Sequence, residues 1–328
     1  MPHQDDFGRA ISYLRVSVTD RCNLRCLYCM PTSGVEKRTH GDILRYEEFA
    51  LVIRAAAELG ISKVRITGGE PLVRLGLVDF VRMVASIPGI DDLSLTTNGT
   101  LLVPHAAALV DAGLHRVNVS LDTLRPDRFQ QITRRGRLED VWAGIAAAQA
   151  AGLMPIKLNM VVVRGLNDDE VADFARRTIS EGWHVRFIEL MPIGANQSWV
   201  GNGVVPIPEI RARIETQVGS LSPVHGPKGN GPARYYHLHA AQGTIGFIGA
   251  LSDHFCGSCN RLRLTADGWL RPCLLSDQEI DLRGPLRAGA GLDTVRDLLT
   301  GAIHAKPQRH HLAEALSPQD RTMAEIGG

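Results

Sequence analysis

Leu14-Arg-Val-Ser-Val-Thr19, followed by Asp20-Arg-Cys22-Asn-Leu-Arg-Cys26-Leu-Tyr-Cys29, is a β-branched run that opens into a loop carrying three cysteines. The run reads as a strand, and the loop starts at its C-terminal end. The same pattern of strand then turn recurs at residues 64–67, 93–97, 117–121, 156–163 and 185–190. Between these runs lie amphipathic or Ala-rich stretches at 46–59, 77–85, 104–112, 138–151 and 169–180. Phe49, Val52, Ile53, Ala56 and Ala57 share one helical face, and Gly60, Gly113, Gly152 and Gly182 stand where helices end. Six repeats of strand and helix predict a parallel sheet with right-handed crossovers. Polar or reactive residues sit at the strand ends: the Cys22 loop, Gly68-Gly69-Glu70-Pro71, Thr96-Thr97-Asn98-Gly99, Ser120 with Asp122, and Glu189 with Met191. Lys157 and Asn159 interrupt the fifth run. Such residues at every strand end fit the mouth of a barrel better than the single switch point of a doubly wound sheet. The fold expected is α/β, an incomplete (βα)6 TIM-like barrel.

Past Met191 the character changes. Residues 192–233 are rich in Gly and Pro, with one helix expected near 208–216. Short strand patterns at 235–239 and 243–248, a second cysteine group and a helix near 292–304 form an α+β C-terminal extension. This extension reads as a cap built around the second cysteine group. The division expected is 1–225 for the barrel core and 226–328 for the extension.

Composition excludes several classes. Lys+Arg 36 against Asp+Glu 35 gives a formal charge of +1, too little for holding nucleic acid by bulk electrostatics. The first residues lack a basic segment followed by an apolar one, and the apolar stretch 143–163 is broken by Gln149, Pro155, Lys157 and Asn159. Neither an export signal nor a membrane span is expected, and the expected location is the cytoplasm. Thiols stay reduced there, so Cys22, Cys26, Cys29, Cys256, Cys259 and Cys273 read as ligands, nucleophiles or fillers rather than disulfides.

Cys22, Cys26 and Cys29 are spaced C-x3-C-x2-C, which can hold three irons of a four-iron cluster and leave the fourth open to a small molecule. Structural zinc is the rival, although the nearest histidine is His40. Cys256, Cys259 and Cys273 form C-x2-C-x13-C, which alone fits zinc with His254 as readily as iron–sulfur. Arg261, Arg263 and Arg271 interleave with this group, and Arg261 and Arg263 on a strand would share a face aimed at an anion. Arg15, Arg65, Lys157 and Arg186 lie on four different strands, and a barrel would point several of them into one cavity. No G-x-x-x-x-G-K-[ST] loop occurs, and Gly144 with its neighbouring alanines reads as helix packing. Trp142, Trp183 and Trp199 read as packing, and His304, His310 and His311 as solvated or helix-end groups.

The cysteine loop after the first strand, with Gly68-Gly69-Glu70-Pro71 after the second, resembles the radical S-adenosylmethionine superfamily. Within it, Arg15-Val-Ser-Val-Thr-Asp20-Arg21, Lys63-Val-Arg65-Ile-Thr, Asn118-Val-Ser120-Leu-Asp122, Ile188-Glu189-Leu-Met191-Pro192, the run from Cys256 to Cys273 and the closing Met323-Ala-Glu-Ile326-Gly327-Gly328 resemble the GTP 3′,8-cyclase family of molybdenum cofactor biosynthesis. The resemblance implies two [4Fe-4S] clusters and S-adenosylmethionine as cofactors. Cys22, Cys26 and Cys29 would hold the first cluster, and Cys256, Cys259 and Cys273 the auxiliary one. Tyr28, Gly69, Thr96, Ser120 and Met191 match S-adenosylmethionine contacts, with Thr96 also on the GTP side. Arg15, Arg65, Lys157, Arg186, Arg261 and Arg263 match GTP contacts, and Arg15, Gly327 and Gly328 would support catalysis. A 5′-deoxyadenosyl radical would take the 3′ hydrogen of GTP, and C3′ would then attack C8 of guanine. The implied partners are a reductant such as flavodoxin or ferredoxin and the next pathway enzyme, cyclic pyranopterin monophosphate synthase; a homodimer is left open. One departure is Gly249-Ala250, where the family usually has Ser-Pro. The rival readings are a peptide-maturing radical enzyme with an auxiliary cluster, and a zinc or iron–sulfur binding protein without catalysis.

Overall fold

The computed structural model describes residues 2–36, 38–193, 202–227, 229, 231–310 and 321–327. Trp199, His311 and Gly328 lie outside the described residues. Six parallel strands run β1 Tyr13–Ser17, β2 Lys63–Thr67, β3 Asp92–Thr97, β4 Arg116–Ser120, β5 Lys157–Val162 and β6 His184–Glu189. Helices α1 Tyr46–Glu58, α2 Leu77–Ala85, α3 Ala106–Asp111, α4 Pro126–Thr133, α5 Leu138–Ala150 and α6 Val171–Ser180 fill the crossovers. The expected incomplete barrel is therefore present. The expected strands and helices fall within a few residues of these bounds, except α4, which is an addition. It offers only Phe129 and Ile132 as apolar helical neighbours and starts on Pro126, so its sequence reads as a loop.

The strands explain the barrel. A strand buried on both faces is normally apolar throughout. Here the residues alternate: Leu14 and Val16, Val64 and Ile66, Leu93 and Leu95, Val117 and Val119 pack into the core cluster with Phe49, Ile53, Phe80 and Val84 of the helices. The opposite face is polar. Register sets Arg263, Arg15, Arg65, Ser94 and Arg116 side by side in one row, and Ser120, Asn159, Arg186 and Gly246 in another. A sheet with this second face must close around a polar interior.

The C-terminal extension departs from a separate cap. After α7 Ile207–Gln217 come β7 Leu221–Pro223, β8 Arg234–Leu238 and β9 Ile245–Ile248, then β10 Arg261–Leu264, β11 Trp269–Arg271 and β12 Ile280–Asp281. α8 Arg283–Arg287, α9 Leu292–His304 and α10 Met323–Ile326 follow. The strand order is β12-β11-β10-β1-β2-β3-β4-β5-β6-β9-β8-β7. Thus β9 joins β6 and β10 joins β1, both in parallel, and the extension continues the barrel wall at both edges. The core's exposed edges receive these strands, which a linear reading of residues 192–273 cannot reveal.

Packing bears out two readings. Trp142 and Trp183 stack with ring centroids 5.7 Å apart. Gly144 lies where a Cβ would overlap the Gly99 carbonyl oxygen. Helix propensity alone predicts that Gly144→Ala stabilises α5 by about 1 kcal/mol. The close approach predicts the opposite sign, a loss of about 1–3 kcal/mol from overpacking, read as a lower urea midpoint at unchanged slope.

Candidate active site

At the barrel mouth two loops are pressed together. Gly69 N–H donates to Thr19 O at 2.7 Å and Glu70 N–H to Arg21 O at 2.9 Å. A Cβ on Gly68 would stand 2.6 Å from Thr19 O, and one on Gly69 2.5 Å from Arg21 O. The paired glycines are therefore a requirement of contact between the β2 loop and the cysteine loop. Glu70 then braces the β3 loop, accepting from Thr97 Oγ1 at 2.8 Å and Asn98 N at 2.7 Å. Burial pushes this carboxyl up to about 7. Asn98 in turn donates to Asn23 Oδ1 at 2.8 Å within the cysteine loop.

One cavity of about 290 Å³ is lined by all six cysteines. Tyr28, Gly69, Thr96, Ser120 and Met191 stand on its walls, as do Arg15, Arg65, Arg186, Arg261 and Arg263. Tyr28 donates its hydroxyl to Asp122, whose carboxyl burial pushes up to about 6. Gly327, far away in sequence, closes part of the mouth: its carbonyl accepts from Arg15 at 3.2 Å and Arg263 at 3.4 Å.

Two expected residues fall elsewhere. Lys157 is buried but lies off the cavity wall, among Arg186, Arg116 and Arg65. Arg271 is also buried, yet it pairs with Glu279 and Ser276 O instead of facing the cavity, because β11 lies one strand further from β1 than β10 does. Asn159 lines the cavity as its place in the fifth run implied, whereas spacing missed Lys306 and Arg9, which lack a motif. Lys306 Nζ bonds Arg261 O at 2.9 Å and Pro272 O at 2.8 Å, tying together the segments beside Cys259 and Cys273. Arg9 bonds Cys256 O at 2.9 Å. At the unusual Gly249-Ala250, a Cβ on Gly249 would press Asp253 and Ile207, so the loop has closed over the missing side chain.

The donor set fits iron–sulfur clusters. Burial pushes the Cys22 thiol up to about 11 and Cys29 up to about 12, and holds Cys26 well above the ordinary thiol range. Such thiols become thiolates on binding a metal. Cys259 differs: burial pushes it up, but Arg261, Lys306 and the hydrogen bonds from Arg261 bring it down to about 6. Among the described residues no three of His, Cys, Asp and Glu close around a single ion, as structural zinc requires.

The cations form a second electrostatic group. Burial lowers Arg15 to about 10, with Arg65, Arg261 and Arg186 adding repulsion. Burial, then Arg15 and Arg261, holds Arg263 well below the ordinary guanidinium range. Among the described residues no carboxylate pairs with Arg65, Arg186, Arg261 or Arg263, and Arg65 Nε, Arg186 Nε and Nη2, and Thr96 Oγ1 are buried without a partner. Buried donors left in this state await a ligand.

The chain matches the Radical SAM superfamily model over residues 16–178 and the Molybdenum Cofactor Synthesis C model over 183–312. The crystal structure of Streptococcus suis SuiB bound to S-adenosylmethionine shares the fold at TM-score 0.60 and 13% identity, over 87% of this chain and 67% of that one. Barrel, cysteine loop and glycine pair together define a radical S-adenosylmethionine protein. The chain is 56% identical to the GTP 3′,8-cyclase of Pelotomaculum thermopropionicum, over 99% of this chain and 100% of the relative. It is 57% identical to that of Heliobacterium modesticaldum, over 99% of each chain, and 54% to that of Moorella thermoacetica, over 99% and 100%. It belongs to the GTP 3′,8-cyclase family.

Lys157 gives the cavity a proton linkage. Burial, then Arg186 and Arg116, lowers its ammonium to about 7. Below that pH the amine is charged already; above it, a bound polyanion must draw in a proton. The affinity for sulfate, an anion whose own charge is constant in this range, is therefore expected to be flat below about pH 7 and to fall with rising pH above it, at up to about tenfold per unit. Titration calorimetry in buffers of different ionisation enthalpy checks the uptake, which Lys157→Met abolishes.

Proposed function

We propose that this chain converts GTP to (8S)-3′,8-cyclo-7,8-dihydroguanosine 5′-triphosphate, the first step of molybdenum cofactor biosynthesis, with its site residues acting as follows. The observation that carries this reading is a single cavity bounded by both cysteine triads, with arginines from β1, β2, β6 and β10 between them. Cys22, Cys26 and Cys29 would hold one [4Fe-4S] cluster, and Cys256, Cys259 and Cys273 the other. When bound, the first supplies an electron for cleaving S-adenosylmethionine, and the second offers an open iron to the purine.

The protein's own part is binding, orientation and exclusion of water. Tyr28, Gly69, Thr96, Ser120 and Met191 line the cavity and would receive S-adenosylmethionine. Arg15, Arg65, Arg186, Arg261 and Arg263, with Lys157 beneath them, would neutralise the about four negative charges of the triphosphate. Arg15, held to the Gly327 carbonyl, would fix the sugar end of the nucleotide, and Gly327 and Gly328 would support catalysis. Residues 1–225 would serve as the S-adenosylmethionine half and 226–328 as the auxiliary-cluster half. A flavodoxin or ferredoxin would supply electrons, and cyclic pyranopterin monophosphate synthase would take the product. Cytoplasmic location belongs to the same proposal; no helix among the described residues is long and apolar enough to cross a membrane.

The test is anaerobic incubation of reconstituted protein with reductant, S-adenosylmethionine and each nucleoside triphosphate. The protein is expected to carry about eight irons and to release more 5′-deoxyadenosine with GTP than with ATP. Equal release would overturn the substrate, and one or two zincs the whole reading. Arg65→Ala, which removes a contact worth roughly 1.5–3 kcal/mol, is expected to lower GTP turnover at least tenfold with iron content unchanged. Wild-type kinetics would remove Arg65 from the site.

A further inference from the structure

Residues 321–327 are held by an ion-pair network distinct from the cavity's own arginines. Arg321 makes a fork to each of two carboxylates. It reaches Glu279 at 2.6 and 2.9 Å and Asp267 at 3.0 and 3.1 Å. Arg38 meets the other side of Asp267 at 2.7 Å, and then Glu325 at 3.2 Å and Asp20 at 3.7 Å. Glu325 closes the loop by capping α10, accepting from Thr322 N at 2.8 Å and Thr322 Oγ1 at 2.9 Å. Thr265 Oγ1 fixes Asp267 at 2.6 Å.

The origins of these residues matter more than their number. Asp20 precedes Cys22, and Arg38 follows Cys29 in the same crossover. Asp267 lies in the turn between β10 and β11, inside the span from Cys259 to Cys273. The network thus grips α10 from the segments that carry both cysteine triads. Its centre is dry: the Arg321 and Asp267 side chains are 8% and 3% exposed. Surface ion pairs contribute little, but a buried fork that loses one member leaves a charge uncompensated.

Beyond this grip, α10 delivers two contacts. The Ala324 N–H donates to the Cys29 thiol. The Gly327 carbonyl meets Arg15 and Arg263. Gly327 has φ 84, and a Cβ there would stand 2.7 Å from Ser17 Cβ, so the segment enters the mouth in a single narrow pose. Two long hydrogen bonds at 3.2 and 3.4 Å are weak restraints on that pose.

We propose that Arg321 and Arg38, working through Asp267, Glu279 and Glu325, form a latch that seats residues 323–327 in the barrel mouth and are positioning residues for the reaction there. The second half of this statement rests on the reading that GTP is converted in this cavity; the first half does not.

The experiment compares reconstituted wild-type chain with Arg321→Met, Arg38→Met and Arg321→Lys, by hydrogen–deuterium exchange, iron content and GTP turnover. The Ile326 and Gly327 amides donate to Thr322 O and Met323 O, and they report on the seating of α10. Both Met variants are expected to speed exchange at 323–327 at least tenfold and to lower GTP turnover at least tenfold. Iron content and exchange in β1–β6 should stay as in wild type, and Arg321→Lys should recover part of both losses. Unchanged exchange at 323–327 in the Met variants would overturn the latch. Loss of protection across β1–β6 in both variants would also overturn it, by assigning the network to general stability. Faster exchange with undiminished GTP turnover would overturn the positioning role. If wild-type chain itself does not turn over GTP, the reaction assignment fails while the exchange data still decide the latch.

Discussion

Cations crowded onto one buried sheet face impose the constraint on which the rest of this molecule depends. Arg263, Arg15 and Arg65 are direct neighbours across β10, β1 and β2, and all project from the same face. Arg186 and Lys157 add to the field from β6 and β5. In an ordinary core such a row would be prohibitive, because each guanidinium loses its hydration and repels the next. It persists here because the opposite face of every strand is apolar and packs under helices, which supplies the burial that holds the sheet together. The wall is stable on its outside so that its inside can be poised for a polyanion.

The two cysteine triads differ in their electrostatic settings, chiefly at Cys259. The first is enclosed by burial, with Glu70 and Asp122 near it, and its thiols are held far from ionisation. The second has Arg261 and Lys306 beside Cys259, which favours thiolate. A cluster on the second triad would therefore feel Arg261 and Lys306, and one on the first would feel Glu70 and Asp122 with Arg25 beside Cys22. Neighbouring charge and hydrogen bonding set cluster potentials, so the protein offers two clusters of one type different electronic environments within a single cavity.

Much of this was legible in the chain. The C-x3-C-x2-C loop, the glycine pair after the second strand and the alternation of strand and helix are local features, and each survived in place. The paired Arg261 and Arg263 were read correctly as sharing a strand face, whereas Arg271 was not separable from them by spacing. Its removal from the cavity depends on β11 lying one strand beyond β10, within reach of Glu279. The same holds for the extension. Its strands are too short to announce that they pair with β1 and β6, because pairing is decided by the partner edge rather than by the strand's own residues.

The sequence by itself determined which atoms can do chemistry: six thiols in two sets of three, a group of arginines and lysine on successive strands, and a closing Gly-Gly. These are matters of residue type and short spacing, which propensity and periodicity fix locally. Only the tertiary structure decided that both triads open into one cavity, that Lys157 stands off its lining among the interior arginines, and that Gly327 reaches Arg15 across the barrel mouth. Those outcomes depend on strand register and on ion pairs between residues hundreds of positions apart, such as Arg38 with Glu325. Such pairs follow from how the sheet closes, and no local pattern encodes them.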